Sequence, residues 1–230
     1  MKCIASLDHV LEVTLQGSAD LAFWCSQLSS EGLFPTPDYR QRARLWISGA
    51  SSRFRGIRFR ELSIAVHVSR QAGATTTDGL FLPQAFNSSR LFTFFERHWF
   101  HTPYVHAGVE VAANPYRMSA RVGSEVLLEA SLNQPDQPVI EPEPMESWEG
   151  PIYLPAAGTS SGALRRHFFA CLAGNTTSLP FVPERDALTI HRVTQFPVLG
   201  WLLDSGFEAE AWAIRPNARH ARSKTFYESV

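Results

Sequence analysis

Lysine is nearly missing from this 230-residue chain: of its 21 basic residues only Lys2 and Lys224 are lysines, and the rest are arginines. Amine chemistry therefore has few places to start, because a Schiff base needs a primary amine whose pKa is lowered by burial or by a neighbouring cation. Cysteine is scarce too. Cys3, Cys25 and Cys171 are odd in number, far apart and without a CxxC pair, which argues against a disulfide framework or a zinc knuckle and for a reducing, cytoplasmic setting. Long apolar runs are absent. The longest, Phe196 to Leu203, falls short of the roughly 20 residues that cross a bilayer, and Asp8 and His9 interrupt the first apolar stretch before it reaches the length of a signal-peptide core. A soluble protein with no membrane partner is expected. Charge of one sign is absent as well: 21 basic residues face 22 acidic ones, for a net charge of -1. Without a global basic field to condense on phosphates, nucleic acid is not an expected partner. The glycosylation triplets at Asn87 and Asn175 have no secretory context and read as chance.

What the chain does have is apolar mass. Hydrophobic residues make up 44% and aromatics 12%, the balance of a chain that buries a sizeable core. Its length lies near the upper edge of what one core organises, so a single domain over residues 1–230 is expected. The clearest periodicity is Glu61-Leu62-Ser63-Ile64-Ala65-Val66-His67-Val68, where branched apolar residues alternate with small or polar ones and predict a strand. One face packs in a core, and Glu61, Ser63, Ala65 and His67 face solvent or a polar cavity. Similar patterns over 104–111, 116–122 and 125–132, punctuated at Asn114-Pro115 and Gly123-Ser124, predict an antiparallel meander. Helices are expected at 19–28 with a cap at Ser18, at 161–173, and at 196–204 ended by Gly206, while 90–100 fits either a helix or an irregular aromatic segment. Strands are expected at 187–192 and 208–214. The proline-rich stretch 134–155 reads as a surface excursion, and the basic tail 215–224 as solvated.

Ionisable and aromatic side chains concentrate in Glu96-Arg97-His98-Trp99-Phe100-His101-Thr102-Pro103-Tyr104-Val105. This segment resembles the acetoacetate decarboxylase superfamily, whose members carry Gly-Arg-Glu, aromatic, Gly, aromatic, Pro-Lys-Lys before a strand. Arg97 and Pro103 match at the same separation, and Phe100 and Ala107 fit. Phe59-Arg60-Glu61-Leu62-Ser63-Ile64 resembles the family's aromatic-x-Glu strand, and the likeness in order of elements covers residues 10–132. It implies an α+β chain: a mostly antiparallel, strongly curved sheet or β-barrel with a few short helices, enclosing a small-molecule cavity. It also implies that Glu61, Arg97 and Tyr104 are the catalytic candidates, with His67, Trp99, His101 and His106 in contact with substrate.

The departures are informative. Where the family places its Schiff-base lysine this chain has Tyr104, the next lysine is Val105, and the Gly and Glu of the run become Glu96 and His98. Acid-base chemistry remains open: Glu61 as base with a raised pKa, Arg97 holding a substrate carboxylate bidentately, Tyr104 donating to an oxyanion. The expected function is action on a small carboxylate or carbonyl compound without a Schiff base, of lyase, hydratase or isomerase type. The alternative is a non-catalytic barrel that binds a small organic ligand through Phe92, Phe94, Phe95, Trp99 and Phe100. Either way the partner is a small molecule, no cofactor is required, and a homo-oligomer is compatible.

Other patterns carry less. His98, His101 and His106 invite a metal, but on an extended chain His101 and His106 point to opposite faces, so no metal site is assigned. Gly158-Thr159-Ser160-Ser161-Gly162 fits the nucleophile elbow, yet Pro155-Ala156-Ala157 interrupt the strand that should feed it, and Ser160 or Ser161 is more simply a helix cap. Arg53 to Arg60 alternates basic and aromatic residues and reads as a hairpin rim that could steer an anionic ligand toward Glu61. Incubation with acetoacetate followed by borohydride is expected to give no reductive adduct by mass spectrometry; a stable adduct on either lysine would contradict the amine-free reading.

Overall fold

The computed structural model describes residues 2–133, 145–156 and 164–229. In chain order the elements are β1 (Ala5–Ala19), α1 (Leu21–Leu28), β2 (Phe34–Pro35), β3 (Ala43–Phe54), β4 (Ile57–Ser69), β5 (Gly79–Asn87), α2 (Arg90–His98), β6 (Tyr104–His106), β7 (Gly108–Ala113), β8 (Tyr116–Val122) and β9 (Glu125–Leu132). They continue with β10 (Met145–Leu154), β11 (Leu164–Asn175), β12 (Thr177–Pro180), β13 (Ala187–Ile190), α3 (Pro197–Asp204), β14 (Glu208–Arg222) and β15 (Phe226–Ser229).

Seven strands close into a mixed barrel in the order β14-β1-β3-β4-β5-β10-β11, and β14 pairs with β11 to complete the ring. Most neighbours are antiparallel; β5 and β10 run parallel at Ile152↔Leu80 and Tyr153↔Phe81. A second, four-stranded sheet of order β13-β9-β8-β7 lies against the outer face of the barrel. Its Val109, Val111, Met118, Ala120 and Leu128 share one buried cluster with Val13, Leu15, Leu45, Ile47, Leu62, Ile64 and Val66 of β1, β3 and β4. Alternation decides the rest. Because neighbouring residues of a strand face opposite ways, Trp46, Ser48 and Ala50 of β3, and Phe59, Glu61, Ser63 and Ala65 of β4, point into the barrel lumen. The main core thus sits outside the ring, and the ring stays hollow.

The expected strand over Glu61–Val68 is part of β4, and the expected meander is β6 to β9, with β6 leaving it to pair in parallel with β5. Arg53–Arg60 is the β3–β4 hairpin, whose turn residues Arg55 and Gly56 both have positive φ, at 47° and 86°, the backbone a two-residue hairpin requires. Ser18 does not cap α1. Asp20 does, accepting from Phe23 N at 2.6 Å, while Ser18 Oγ donates to Glu210.

Two expectations are corrected. The helix over 161–173 is strand β11, whose Phe168, Ala170 and Leu172 line the lumen; Phe169, Cys171 and Ala173 on its other face are apolar as well, so the sequence shows no period-two alternation. The excursion over 134–155 yields β10 at its end, while residues 134–144 lie outside the described residues. Pro151 is tolerated inside β10 because β5 runs beside it only at Ile152 and Tyr153, so no ladder bond is lost there.

Gly49 shows how tightly barrel and second sheet are joined: a Cβ there would stand 2.9 Å from Met118 Cβ and 3.1 Å from Val111 Cγ2. Gly49→Val is expected to lower stability by about 1–3 kcal/mol through overpacking, read as a lower urea midpoint at unchanged slope; an unchanged midpoint would show that the two sheets can separate at no cost.

Candidate functional site

The lumen forms a cavity of about 410 Å³. Its walls are largely aromatic and aliphatic: Trp46, Phe54, Phe59, Leu80, Leu82, Phe92, Phe95, Trp99, Phe100, Ile152, Phe168 and Leu172. Against this lining stand a few polar groups, Glu12, Glu61, Glu96, Tyr104, His220 and Arg222. An apolar chamber with a small convergent polar set is the usual form of a small-molecule site.

Glu61 is placed by the alternation of β4. Tyr104 Oη donates to its Oε2 at 3.0 Å and Asn87 Nδ2 donates to its Oε1 at 2.8 Å. Asn87 reaches inward because a bulge in β5, between the pairs Ile64↔Gln84 and Val66↔Phe81, inserts one residue at Pro83 and flips the parity of the later positions. Leu80 and Leu82 before it, and Asn87 after it, therefore face the same lumen. Asn87 is fully buried and its Oδ1 also accepts from Ser89 N, so its glycosylation triplet is structural. Loss of solvent, and then the negative Glu96, push the Glu61 pKa up to about 7, while the Tyr104 hydrogen bond, His220 and Arg222 pull the other way. Burial raises the Tyr104 phenol as well, so it stays protonated and donating.

Glu96, on the inner side of α2, is gripped from two directions. Arg222 Nη1 reaches both of its carboxylate oxygens at 2.7 Å, and Thr102 Oγ1 donates to Oε2 at 2.8 Å. Arg222 lies over the rings of Phe168 and Phe100, at 4.0 and 4.6 Å from their centroids. Its Nη2 is buried without a hydrogen-bond partner among the described residues. On the β1 and β14 walls a third carboxylate, Glu12, accepts from Arg215 Nη1 at 2.8 Å and Thr14 Oγ1 at 3.1 Å, and contacts His220 Nε2 at 2.7 Å. Burial works against the Glu12 anion, but the combined pull of His220, Arg215 and Thr14 wins and holds its pKa below the ordinary carboxylate value.

Of the residues that the sequence singles out, Glu61 and Tyr104 meet in the lumen, and Trp99 stands at its mouth, 67% exposed. Arg97 does not join them. It falls on the outer side of α2, exposed, because one step along a helix turns a side chain about 100° from the inward Glu96. His67 lies outside the cavity lining, buried edge-on against Trp46 with Nδ1 3.3 Å from Thr77 Oγ1; desolvation, and then Arg44, lower its pKa to about 3. His101 has a positive φ of 53° at the turn after α2 and faces outward toward Tyr227. His106 is exposed, and His98 packs on Phe94, so the three clustered histidines diverge. Phe94 is exposed, whereas the other four aromatics proposed for the lining do line it. Ser160 and Ser161 lie outside the described residues, and the segment after them is a strand, not the helix that an elbow needs. The basic tail is corrected too: it is the end of β14 and brings Arg215, His220 and Arg222 to the barrel wall. Alternation of His220 with Arg222 is the sequence signal available for that. Lys2 and Lys224 are exposed, and no lysine lines the cavity among the described residues.

A second cleft of about 450 Å³, lined by Arg70, Asp78, Tyr153, His167 and Glu228, is open to solvent. Its Arg70 is paired with Glu228 at 2.9 Å, and it lacks an enclosed apolar chamber.

The sequence matches no protein-family model and no curated protein. Among solved structures, the chain is similar to acetoacetate decarboxylase from Legionella pneumophila, with a TM-score of 0.65 at 11% identity over 98% of this chain and 86% of that one. It is also similar to an acetoacetate decarboxylase-like enzyme from Sphingomonas wittichii, with a TM-score of 0.59 at 11% identity over 98% and 92%. The enduracididine biosynthesis enzyme MppR, solved in complex with pyruvate, gives 0.59 at 9% identity over 100% and 91%. The chain therefore has the acetoacetate decarboxylase-like fold.

Because its folded pKa is raised, Glu61 favours folding most when protonated, below the unfolded value of 4.5, and that contribution is lost as pH climbs toward about 7. Glu61→Gln is expected to stabilise the protein at pH 8, by at most about 3 kcal/mol, and to have little effect at pH 4.5. Thermal unfolding of both proteins across this range checks it; equal shifts at both pH values would show that Glu61 is not held in its acid form.

Proposed function

We propose that this protein is an enzyme of the acetoacetate decarboxylase-like fold that moves a proton beside the carbonyl of a small carboxylate or carbonyl compound bearing an apolar arm. It works by acid-base catalysis and forms no Schiff base. The observation that carries the reading is the Glu61 carboxyl, enclosed in an apolar lumen, oriented by Tyr104 and Asn87, and poised at about pH 7. A general base is most effective when its pKa lies near the working pH.

In this reading Glu61 takes the proton from the carbon beside the carbonyl. Tyr104 holds the carboxyl in place, and the guanidinium of Arg222 on the cavity wall, in the role that the sequence suggests for Arg97, attracts the substrate carboxylate. The apolar arm lies along Phe59, Phe92, Trp99 and Phe168. The neighbour solved with pyruvate supports a carbonyl acid as the ligand class. The same aromatic lining also suits a non-catalytic binder of a small organic ligand, and turnover separates the two.

The test is proton exchange in D₂O. With pyruvate, phenylpyruvate and acetoacetate as probes, the C–H signals next to the carbonyl are expected to fade by NMR faster than without enzyme, with a rate that rises with pH through about 7 as Glu61 ionises. Glu61→Gln is expected to lose roughly 10²–10⁴-fold. Binding of the probes without any exchange would favour the non-catalytic reading.

A further inference from the structure

We infer that His220, held by Glu12, is the second proton-transfer group of the lumen, acting across from Glu61 so that the site serves both ends of a keto–enol change. This inference rests on the proposed function and assigns a further group to the same cavity.

The placement comes from the ring. Counting round the barrel, β14 and β4 are three strands apart one way and four the other, which in a seven-membered ring is the largest separation there is. Glu61 and His220 therefore come from opposed walls, and both line the cavity. The orientation of the imidazole is set by Glu12. That carboxylate is kept ionised by Arg215, Thr14 and His220 and can only accept, so His220 Nε2 must carry the hydrogen at the 2.7 Å contact. Nδ1 is then the nitrogen left over. It has no hydrogen-bond partner among the described residues and is not among the buried unpartnered atoms, so it is open to a ligand. A carboxylate behind one imidazole nitrogen fixes the tautomer and steadies the imidazolium that forms when the other nitrogen takes a proton. Besides Glu12, the charged groups around it are Arg215 and Arg222 on its own strand and Glu61 and Glu96 across the lumen.

A second group is needed because Tyr104 is already engaged: its one hydrogen goes to Glu61. In the enolising direction, starting from the imidazolium with hydrogens on both Nε2 and Nδ1, Glu61 carboxylate takes the carbon-bound proton, the C–H electron pair becomes the C=C bond, and the carbonyl oxygen takes the Nδ1 proton, leaving the neutral Nε2–H imidazole held by Glu12. The reverse returns both protons, and no further reactant enters. The ligand class is a 2-oxo carboxylate whose third carbon bears an aryl or other apolar arm, with the carboxylate at Arg222 and the arm among the aromatic walls.

The probe is phenylpyruvate, followed by ultraviolet absorbance of its enol and by exchange in D₂O. His220→Gln is expected to slow both about 100-fold or more while circular dichroism stays unchanged, and His220→Ala is expected to regain activity on adding free imidazole, which a purely structural role would not give. Wild-type rates in His220→Gln would overturn the inference and leave the Glu61 reading standing; a wild-type protein inert toward phenylpyruvate, pyruvate and acetoacetate would overturn the catalytic reading itself. The ring is also read directly by ¹⁵N NMR of histidine-labelled protein. Nε2–H with an Nδ1 signal that moves on adding phenylpyruvate is expected, and an Nδ1–H tautomer that ignores the probe would overturn the inference whatever the activity.

Discussion

The double pairing of β14 is the constraint on which the rest depends. This one strand hydrogen-bonds to β1 along most of its length and to β11 near its end, at Ala170↔Arg222 through Ala173↔Arg219. Closure removes two sheet edges at once and forces every inward side chain of seven strands into a common space. Because the apolar face of β1, β3 and β4 is spent on the second sheet, the lumen need not supply the core. It can stay open and carry polar groups without dismantling the packing that holds the fold.

Those polar groups differ in state although three of them are carboxylates. Glu12 is the most hidden, yet it is the one held ionised, because Arg215, His220 and Thr14 all donate to it. Glu96 shares a guanidinium with both of its oxygens. Glu61 receives only the neutral donors Tyr104 and Asn87, in an apolar chamber with another negative charge nearby, and its acid form gains. Environments that push like groups apart in pKa are how one site holds an acid and a base together. Burial alone does not separate Glu12 from Glu61; the count and charge of the donors decides.

Much of this is legible in the sequence, and the limits have physical causes. Glu61 stands out because β4 turns small or polar residues toward the lumen and branched apolar ones toward the core, which leaves a period of two in the sequence. Tyr104 and the segment before it come from the family resemblance. The motif selects Arg97 over Glu96 because its spacing carries no information on which way a nine-residue helix turns, and the inward residue is the neighbour. Arg222, His220 and Glu12 are out of reach for a different reason: Glu12 Oε2 and His220 Nε2 meet across 208 positions of chain, and only ring closure joins them. A tail rich in arginine reads as solvated when its partners are invisible. β11 reads as a helix because a strand with apolar residues on both faces and a buried helix share one apolar signature.

The same electrostatics gives meaning to the tyrosine beside Glu61. An ammonium beside Glu61 would favour the carboxylate and hold its pKa low, leaving the amine as the group that changes state. A phenol in that place cannot do so: burial and the adjoining Glu61 drive its own pKa further up, it stays neutral, and it offers a single hydrogen bond. With a neutral phenol there, desolvation dominates at Glu61 and its carboxyl titrates near neutral pH. Cationic charge in the lumen is still supplied, but from β14 by Arg222 and Arg215, each already facing a carboxylate of its own. With a phenol and not an ammonium at its side, Glu61 is the group whose protonation the chamber controls.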